Sequence, residues 1–482
     1  MAHRGEQRVL VIDNGAGNIK LGWAGEEKPR MVFPNCTAKP KGERQVYVGD
    51  ALLEAKDIMA LNMRRPFDRG YMVQWDLEKE IWARAFKSAA LSKKGPGGGG
   101  GGGAWDPASA SLLLTEPIFN FPAVQAATEE MVFEQFGFRS LYVAPSPWFS
   151  LNAACSGGPP PPNATARSAA AAGAGIVVDA GFSAANVVPF FNGQLLAGGV
   201  QRLNLGGKAL TNLLKETVSY RSLNMAEEAY LMEGVKDALC WVSQDVKADL
   251  KLARARASPF RREYVLPDGV TNLRGYVRPT PEEEAKAAAE KAAAAAGAAG
   301  APGGGGGGEQ GQQQQGGGGG GEAGGGGAGG GAAPQRSSRG GASDQVLVLN
   351  NELFMVPEVL FRPSDIGLQQ AGLPEAVASA IAACHPALSP LLWSNVVLTG
   401  GCCRLPGLAA RFERELRALA PDDFEVGVVS PQEFEVGVVS PQDPDLFAWQ
   451  GASRFGATPQ FSSAATTRAQ YMENGPGNTG RR

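Results

Sequence analysis

Three short stretches carry the residue types that handle phosphate. The first is Asp13-Asn14-Gly15-Ala16-Gly17, which follows the apolar run 9–12 and precedes a second apolar-alternating run, 18–24. Gly15, Ala16 and Gly17 carry no bulk that would block close approach of a ligand to the backbone. Successive N–H groups in such a turn form an anion-binding nest. Lys20 can add an ammonium point charge for the β- and γ-phosphates. Asp13 cannot face phosphate directly, and its chemistry suits it to orient water around a bound magnesium ion. The second stretch, "GIVVDAGFSAANVVPFF", repeats the plan: an apolar run at 176–178, an acid at Asp179, a small-residue turn with Gly181, and another apolar run. The third, Thr399-Gly400-Gly401, follows "NVVL" and is expected to open a helix. A helix start offers N–H groups and a dipole to the remaining polar edge of a nucleotide. A single glycine hairpin is commonly a plain turn. Two hairpins from two domains can clamp one triphosphate between them, and three glycine turns after apolar strands converge on nucleotide binding.

What is scarce narrows the chemistry further. The chain has only two histidines, His3 and His385, the second before Pro386 in a connecting segment. Ser/His and Cys/His mechanisms therefore have little to work with. The six cysteines, Cys36, Cys155, Cys240, Cys384, Cys402 and Cys403, show neither metal-ligand spacing nor a paired framework, so reduced thiols are expected. A net charge of −3, with Lys and Arg scattered, gives no electrostatic reason for direct nucleic-acid binding. The N-terminal "MAHRGEQ" leads straight into a strand rather than a signal peptide, and no apolar run reaches bilayer length.

These turns need elements to hold them. Residues 9–12 and 18–24 read as two strands joined by a tight turn. Helical spacing predicts a helix over 77–86, with Leu77, Ile81, Trp82 and Ala85 inward, and another over 124–136, with Val124, Met131, Val132 and Phe136 inward and Glu129 and Glu130 outward. "LLL" at 112–114 is a buried strand. "MAEEAYLMEGVKDALCWV" is an amphipathic helix with Leu231, Val235, Leu239 and Val242 on one face. "NVVLTGGCCRLPGLAARFERELRAL" reads as strand, glycine turn and helix, with Leu408, Phe412, Leu416 and Leu419 inward. Three stretches are low-complexity, at 95–103, 156–175 and 282–342. The last cannot bury enough apolar surface to offset its chain entropy and is expected to be a solvated spacer, helical at most near its start at 282–296. The remainder, roughly 390 residues, suffices for two domains. "FEVGVVSPQE" is followed at once by "FEVGVVSPQD"; a tandem copy this exact reads as a local duplication or a gene-model artefact, with one copy making a strand and the other a bulging loop.

The chain is identified as a member of the actin family by "VIDNGAGNIKLGWAGEEKPRMVFPN", "YVGD", "WDLEKEIWARAF", "LLTEPIFNF", "YVLPDG", "VPEVLFRPSDIG", "VVLTGG" and "YMENGP", which stand in actin-like order along nearly the whole ordered chain. The resemblance implies an α/β fold of two halves with similar cores around a nucleotide cleft. The small half would take residues 1–150 and the returning tail 444–482. The large half would take 176–281 and 344–443, with insertions at 151–175 and 282–343. By position, Asp13, Gly15, Ala16, Gly17, Asn18 and Lys20 would hold the phosphates of ATP or ADP, with Asp179 and Gly181 opposite and magnesium near Asp13. Lys236 and Asp237 would lie at the adenosine, and Gly207, Gly400 and Gly401 would line the same cleft.

The sequence also departs from the actin pattern. Phe182 and Ser183 replace an acid and a glycine of the second turn, and Asn186 replaces a histidine. The glutamine that helps place the attacking water corresponds to Glu130. Water activation needs positioned groups, so binding with little or no hydrolysis is expected. "PNCTAKPKGERQVYVGD" is too short to contain the loop used for longitudinal filament contacts, which argues against a filament. The resemblance implies a nuclear, non-filament subunit of an ATP-dependent chromatin remodeller that exchanges a variant histone. Its partners would be the motor subunit and sibling subunits, with histones as further candidates, and neither DNA nor membrane is expected to be bound directly. A nuclear location rests on resemblance alone, for no basic import cluster is evident, and the cytoplasm is a second compartment. The alternative is a working actin-like ATPase of cytoskeletal or kinase/chaperone type.

Overall fold

The computed structural model describes residues 8–92, 105–157, 164–286, 289–290, 345–421, 428–429 and 444–477. It contains two sheets of the same design. In the first, β1 (Val9–Asn14) turns back into β2 (Asn18–Trp23), and β3 (Met31–Pro34) extends that edge. After helix α1 (Trp75–Phe86) come β4 (Ser111–Glu116), helix α2 (Pro122–Glu130), β5 (Ser140–Pro145) and helix α3 (Ser146–Gly157). β1 pairs antiparallel with β2, placing Asn14 opposite Ile19, and parallel with β4, which pairs parallel with β5. Side chains alternate across a strand, so β1 feeds two cores. Leu10 and Ile12 pack with Ile81 and Trp82 of α1, whereas Val9 and Val11 pack with Trp449 on the opposite face. Covering both faces explains why β1 reads as an unbroken apolar run.

The second sheet repeats this. β6 (Gly175–Ala180) turns back antiparallel into β7 (Ala185–Phe191), helices α4 (Gly207–Arg221) and α5 (Ala229–Leu239) follow, and β8 (Val396–Thr399) pairs parallel with β6 before helix α6 (Leu408–Leu419). The chain then returns to the first half. Helix α7 (Phe447–Gly456) is wedged between the halves: Phe447 packs with Val177 and Val397, while Trp449, fully buried, packs with Val11 and donates from Nε1 to the Val11 carbonyl at 3.2 Å. β9 (Thr466–Thr467) adds to the edge of β5, and Tyr471 of helix α8 (Arg468–Asn474) stacks on Phe133.

Several sequence expectations change here. The helix expected over 124–136 is α2 followed by a wider π-type turn, Met131–Gln135. Glu129 does not face outward; it is buried because the tail folds over it, and its carboxylate accepts the Gly477 N–H at 2.8 Å. Leu419, on the last turn of α6, is 44% exposed, while Leu408, Phe412 and Leu416 are buried as expected. Val242 lies beyond the end of α5, because the chain leaves the helix at Cys240 in an extended conformation. The alanine-rich stretch at 151–175 holds the end of α3 and a further helix, Ala164–Ala171. Gly400 and Gly401 do not open the long helix; they lead into a 3-10 turn, Gly401–Arg404, and α6 begins only at Leu408. From the duplication, the first copy supplies Val428–Val429, which pairs with β8; the second copy, His3, the glycine run at 95–103 and most of the 282–342 tract lie outside the described residues.

Candidate functional site

The two hairpins and the third glycine turn converge on one cavity of about 310 Å³. Asp13, Gly15, Ala16, Gly17, Asn18, Lys20, Asp179, Gly181, Gly207, Lys236, Asp237, Gly400 and Gly401 all line it. The volume falls in the range of ordinary small-molecule sites. The hairpins reach it at the ends of β1 and β6, where each strand gives out into its turn. At the third turn the backbone admits only glycine: Gly400 has φ +95°, and a Cβ there would lie 2.5 Å from the Ala180 carbonyl oxygen. Gly207 starts α4, but its N–H and that of Lys208 are taken by the carbonyls of Gly181 and Phe182 at 3.0 and 2.9 Å, so this helix start braces the second hairpin.

The charges are more crowded than the sequence suggested. Lys20 is buried between two carboxylates, with Nζ 2.9 Å from Asp13 Oδ2 and 2.9 Å from Asp445 Oδ1. Burial works against its charge, but the two acids outweigh it and hold the ammonium above its ordinary range. It is therefore not a bare point charge awaiting phosphate. Asp13 accepts Lys20 on one oxygen and the Thr115 hydroxyl, at 2.8 Å, on the other. Asp179 is pushed up to about 6, first by burial and next by the negative charge of Asp13, with Lys20 pulling down and Asp445 pushing up. Among the described residues no group of three His, Cys, Asp or Glu side chains could hold a metal ion. Magnesium would thus have to be held by phosphate oxygens and water, with Asp13 beside them. Beside Gly207 and the second hairpin Lys236 is buried, pairs with Asp237 at 3.2 Å, and donates to Thr211 Oγ1 at 3.3 Å.

Two carried-over roles meet a correction or a complication. Glu130 is exposed at the end of α2 and does not line the cavity; the wall beside β4 carries Glu116 and Pro117 instead. Phe182 does line it, and it packs on the first hairpin: a Cβ built on Gly17 would lie 2.9 Å from Phe182 Cβ. Asp445, Thr115 and Glu233 also line the cavity; no glycine turn marks them, although Thr115 stands inside "LLTEPIFNF". Arg65 also went unread. Its guanidinium lies 4.4 Å from the Phe182 ring centroid, donates to the Gly17 carbonyl at 2.7 Å, and pairs with Glu233 at 3.2 Å. Cys402 and Cys403 are buried in the 3-10 turn, unpaired, and burial pushes both thiols up, Cys402 to about 12, so neither is a ready nucleophile.

Two halves of repeated topology, each presenting a hairpin turn with a leading aspartate to a shared cleft, define an actin fold, and the chain belongs to the actin family, whose pattern, described as Actin, matches residues 4–482. Among individual relatives, the chain is 37% identical over 474 residues to actin-related protein 6 of Oryza sativa subsp. indica, covering 98% of this chain and 97% of the relative. It is 36% identical to actin-related protein 6 of Arabidopsis thaliana, covering 98% of this chain and 99% of that one. The Drosophila melanogaster actin-related protein 6 is 33% identical, with 97% of each chain covered.

Proposed function

We propose that this protein is a nuclear, non-filament scaffold of the actin-related protein 6 type, which holds an adenine nucleotide without turning it over. It serves as a structural subunit of an ATP-dependent chromatin-remodelling complex that exchanges a variant histone, with another subunit as motor. The observation that carries the non-catalytic part is the altered inner end of the cleft. Phe182 stands between the two hairpins, Lys20 is neutralised by Asp13 and Asp445, and Glu130 points to solvent away from the cavity. The small-residue turns and Lys236 fit the inner phosphates and the sugar side of a nucleotide. A bound nucleotide would stabilise the closed protein by mass action, and this is the chemistry it supplies here. The partner reading is supported by similarity to actin-related protein 6 over almost the entire chain. Further support comes from the short segment between Thr37–Pro40 and Tyr47–Val48, which leaves no extended loop for a filament neighbour.

The test is affinity purification of tagged full-length protein from nuclear extract, followed by mass spectrometry. The expected result is stoichiometric recovery of a remodeller motor and histone-exchange subunits. Recovery of the protein alone, or with cytoskeletal proteins, contradicts the scaffold reading and favours an independent actin-like ATPase.

A further inference from the structure

We infer that the cleft selects a nucleoside diphosphate over the triphosphate, and that Phe182 is the residue that sets this preference. The inference rests on the nucleotide reading above and goes beyond it by naming the ligand class and its filter. The two hairpin turns would clamp a terminal phosphate between them if the space were open. It is filled. A Cβ on Gly17 would stand 2.9, 3.0 and 3.1 Å from Cβ, Cγ and Cδ2 of Phe182, so the ring is already in contact with the first turn.

The ring is also held in place. The Arg65 guanidinium lies over it at 4.4 Å, anchored to the Gly17 and Ala16 carbonyls at 2.7 and 3.3 Å and to Glu233 at 3.2 Å. The Phe182 backbone is fixed from behind: its carbonyl accepts the Lys208 N–H at 2.9 Å, and a Cβ on Gly206 would lie 2.6 Å from that oxygen. Moving the ring aside therefore disturbs an arginine bound to both halves, not just one rotamer.

Charge acts in the same direction. Around the inner end stand Asp13, Asp445 and Asp179, with Lys20 already shared by the first two. A further phosphate placed there meets net negative charge at close range. Lys236, whose ammonium lies beside Gly207 close to Phe182, is paired with Asp237 at 3.2 Å and does not offset that charge.

The experiment is titration calorimetry of the full chain with magnesium-ADP and with a magnesium-loaded, non-hydrolysable ATP analogue. Wild type, Phe182→Gly and Phe182→Leu are compared. Wild type is expected to bind ADP at least about tenfold more tightly than the analogue. Phe182→Gly should bring the two within about threefold by gaining affinity for the analogue, and Phe182→Leu, which keeps bulk, should preserve the preference. Equal wild-type affinities overturn the inference and leave the nucleotide reading standing. Wild-type protein that binds neither ligand sinks that reading itself. A preference unchanged in Phe182→Gly shows that another group sets it. Should that variant not fold, Arg65→Ala, which frees the ring, must narrow the wild-type ratio or the inference fails.

Discussion

Lys20 shows how a residue can keep its position in a motif and change its role. Its ammonium is shared by Asp13 and Asp445, so the first hairpin presents a neutralised cation to a ligand. Asp445→Asn removes one of the two anions while keeping shape. It should raise affinity for magnesium-ADP about five- to tenfold, measured by calorimetry; unchanged affinity would show that Asp445 does not compete with the ligand. Behind the same turn lies Glu78 of α1, fully buried and pushed up to about 7 by burial, with Asn35 Nδ2 donating to its Oε1 at 3.5 Å and pulling the other way. Glu78 Oε2, Asn14 Oδ1, Asn35 Oδ1 and Trp82 Nε1 are buried without a hydrogen-bond partner, and Asn35 Nδ2 ties the group to the Gly15 carbonyl at 3.1 Å. The folded protein holds this proton more tightly than the unfolded chain, whose carboxyl titrates near 4.5. Stability is therefore lost as pH rises from about 4.5 through about 7. Glu78→Gln should flatten that slope and add about 2 kcal/mol at pH 8 while changing little at pH 4, by urea titration. A parallel loss of stability at both pH values would mean the carboxylate is charged and needed. Asp179 carries the same sign, over a window ending near 6.

At the scale of elements, the hairpins were legible because each is written in adjacent residues: strand, acid, small turn, strand. The strands β1 and β6 and the inward faces of α1 and α6 followed from spacing in the same way. The misses at the site depend on distant chain. Glu129 is buried only because Gly477 arrives over it, and Asp445 reaches Lys20 from a stretch without any motif. Arg65 and Phe182 meet only once the halves are assembled, so no local pattern announces their contact. The two hairpins consequently pack as a pair. Gly17→Ala should cost about 1–3 kcal/mol through its collision with Phe182, and the double variant with Phe182→Ala should recover most of that. An additive double mutant would show that the turns do not touch. Trp449→Ala, which empties the wedge under α7, should cost about 3–5 kcal/mol in the same denaturation assay. A cost under about 1 kcal/mol would mean that α7 does not join the halves.

Across the whole molecule, the two halves also meet outside the cleft. Leu52, Ala55, Ile58 and Leu61 of the small half belong to the same apolar cluster as Met232 and Val235 of α5. Glu228 accepts the Ala60 N–H at 2.8 Å, and Arg202 donates to the Arg69 carbonyl at 2.6 Å. Opening the halves must expose that apolar surface, which sets a barrier to ligand exchange. Ile58→Asp, which puts a charge into the seal, should speed release of a fluorescent ADP analogue at least about tenfold in stopped flow; an unchanged rate would place the exit route elsewhere. On the proposed function, a cleft bounded in this way holds a nucleotide as a structural part rather than cycling it. The most direct measurement is phosphate release from ATP by the purified full-length chain under single-turnover conditions, with protein in excess of nucleotide. The account predicts no release above the buffer rate over hours, even where ADP binding is saturable. Release of one phosphate per bound ATP would contradict it and make this protein an enzyme.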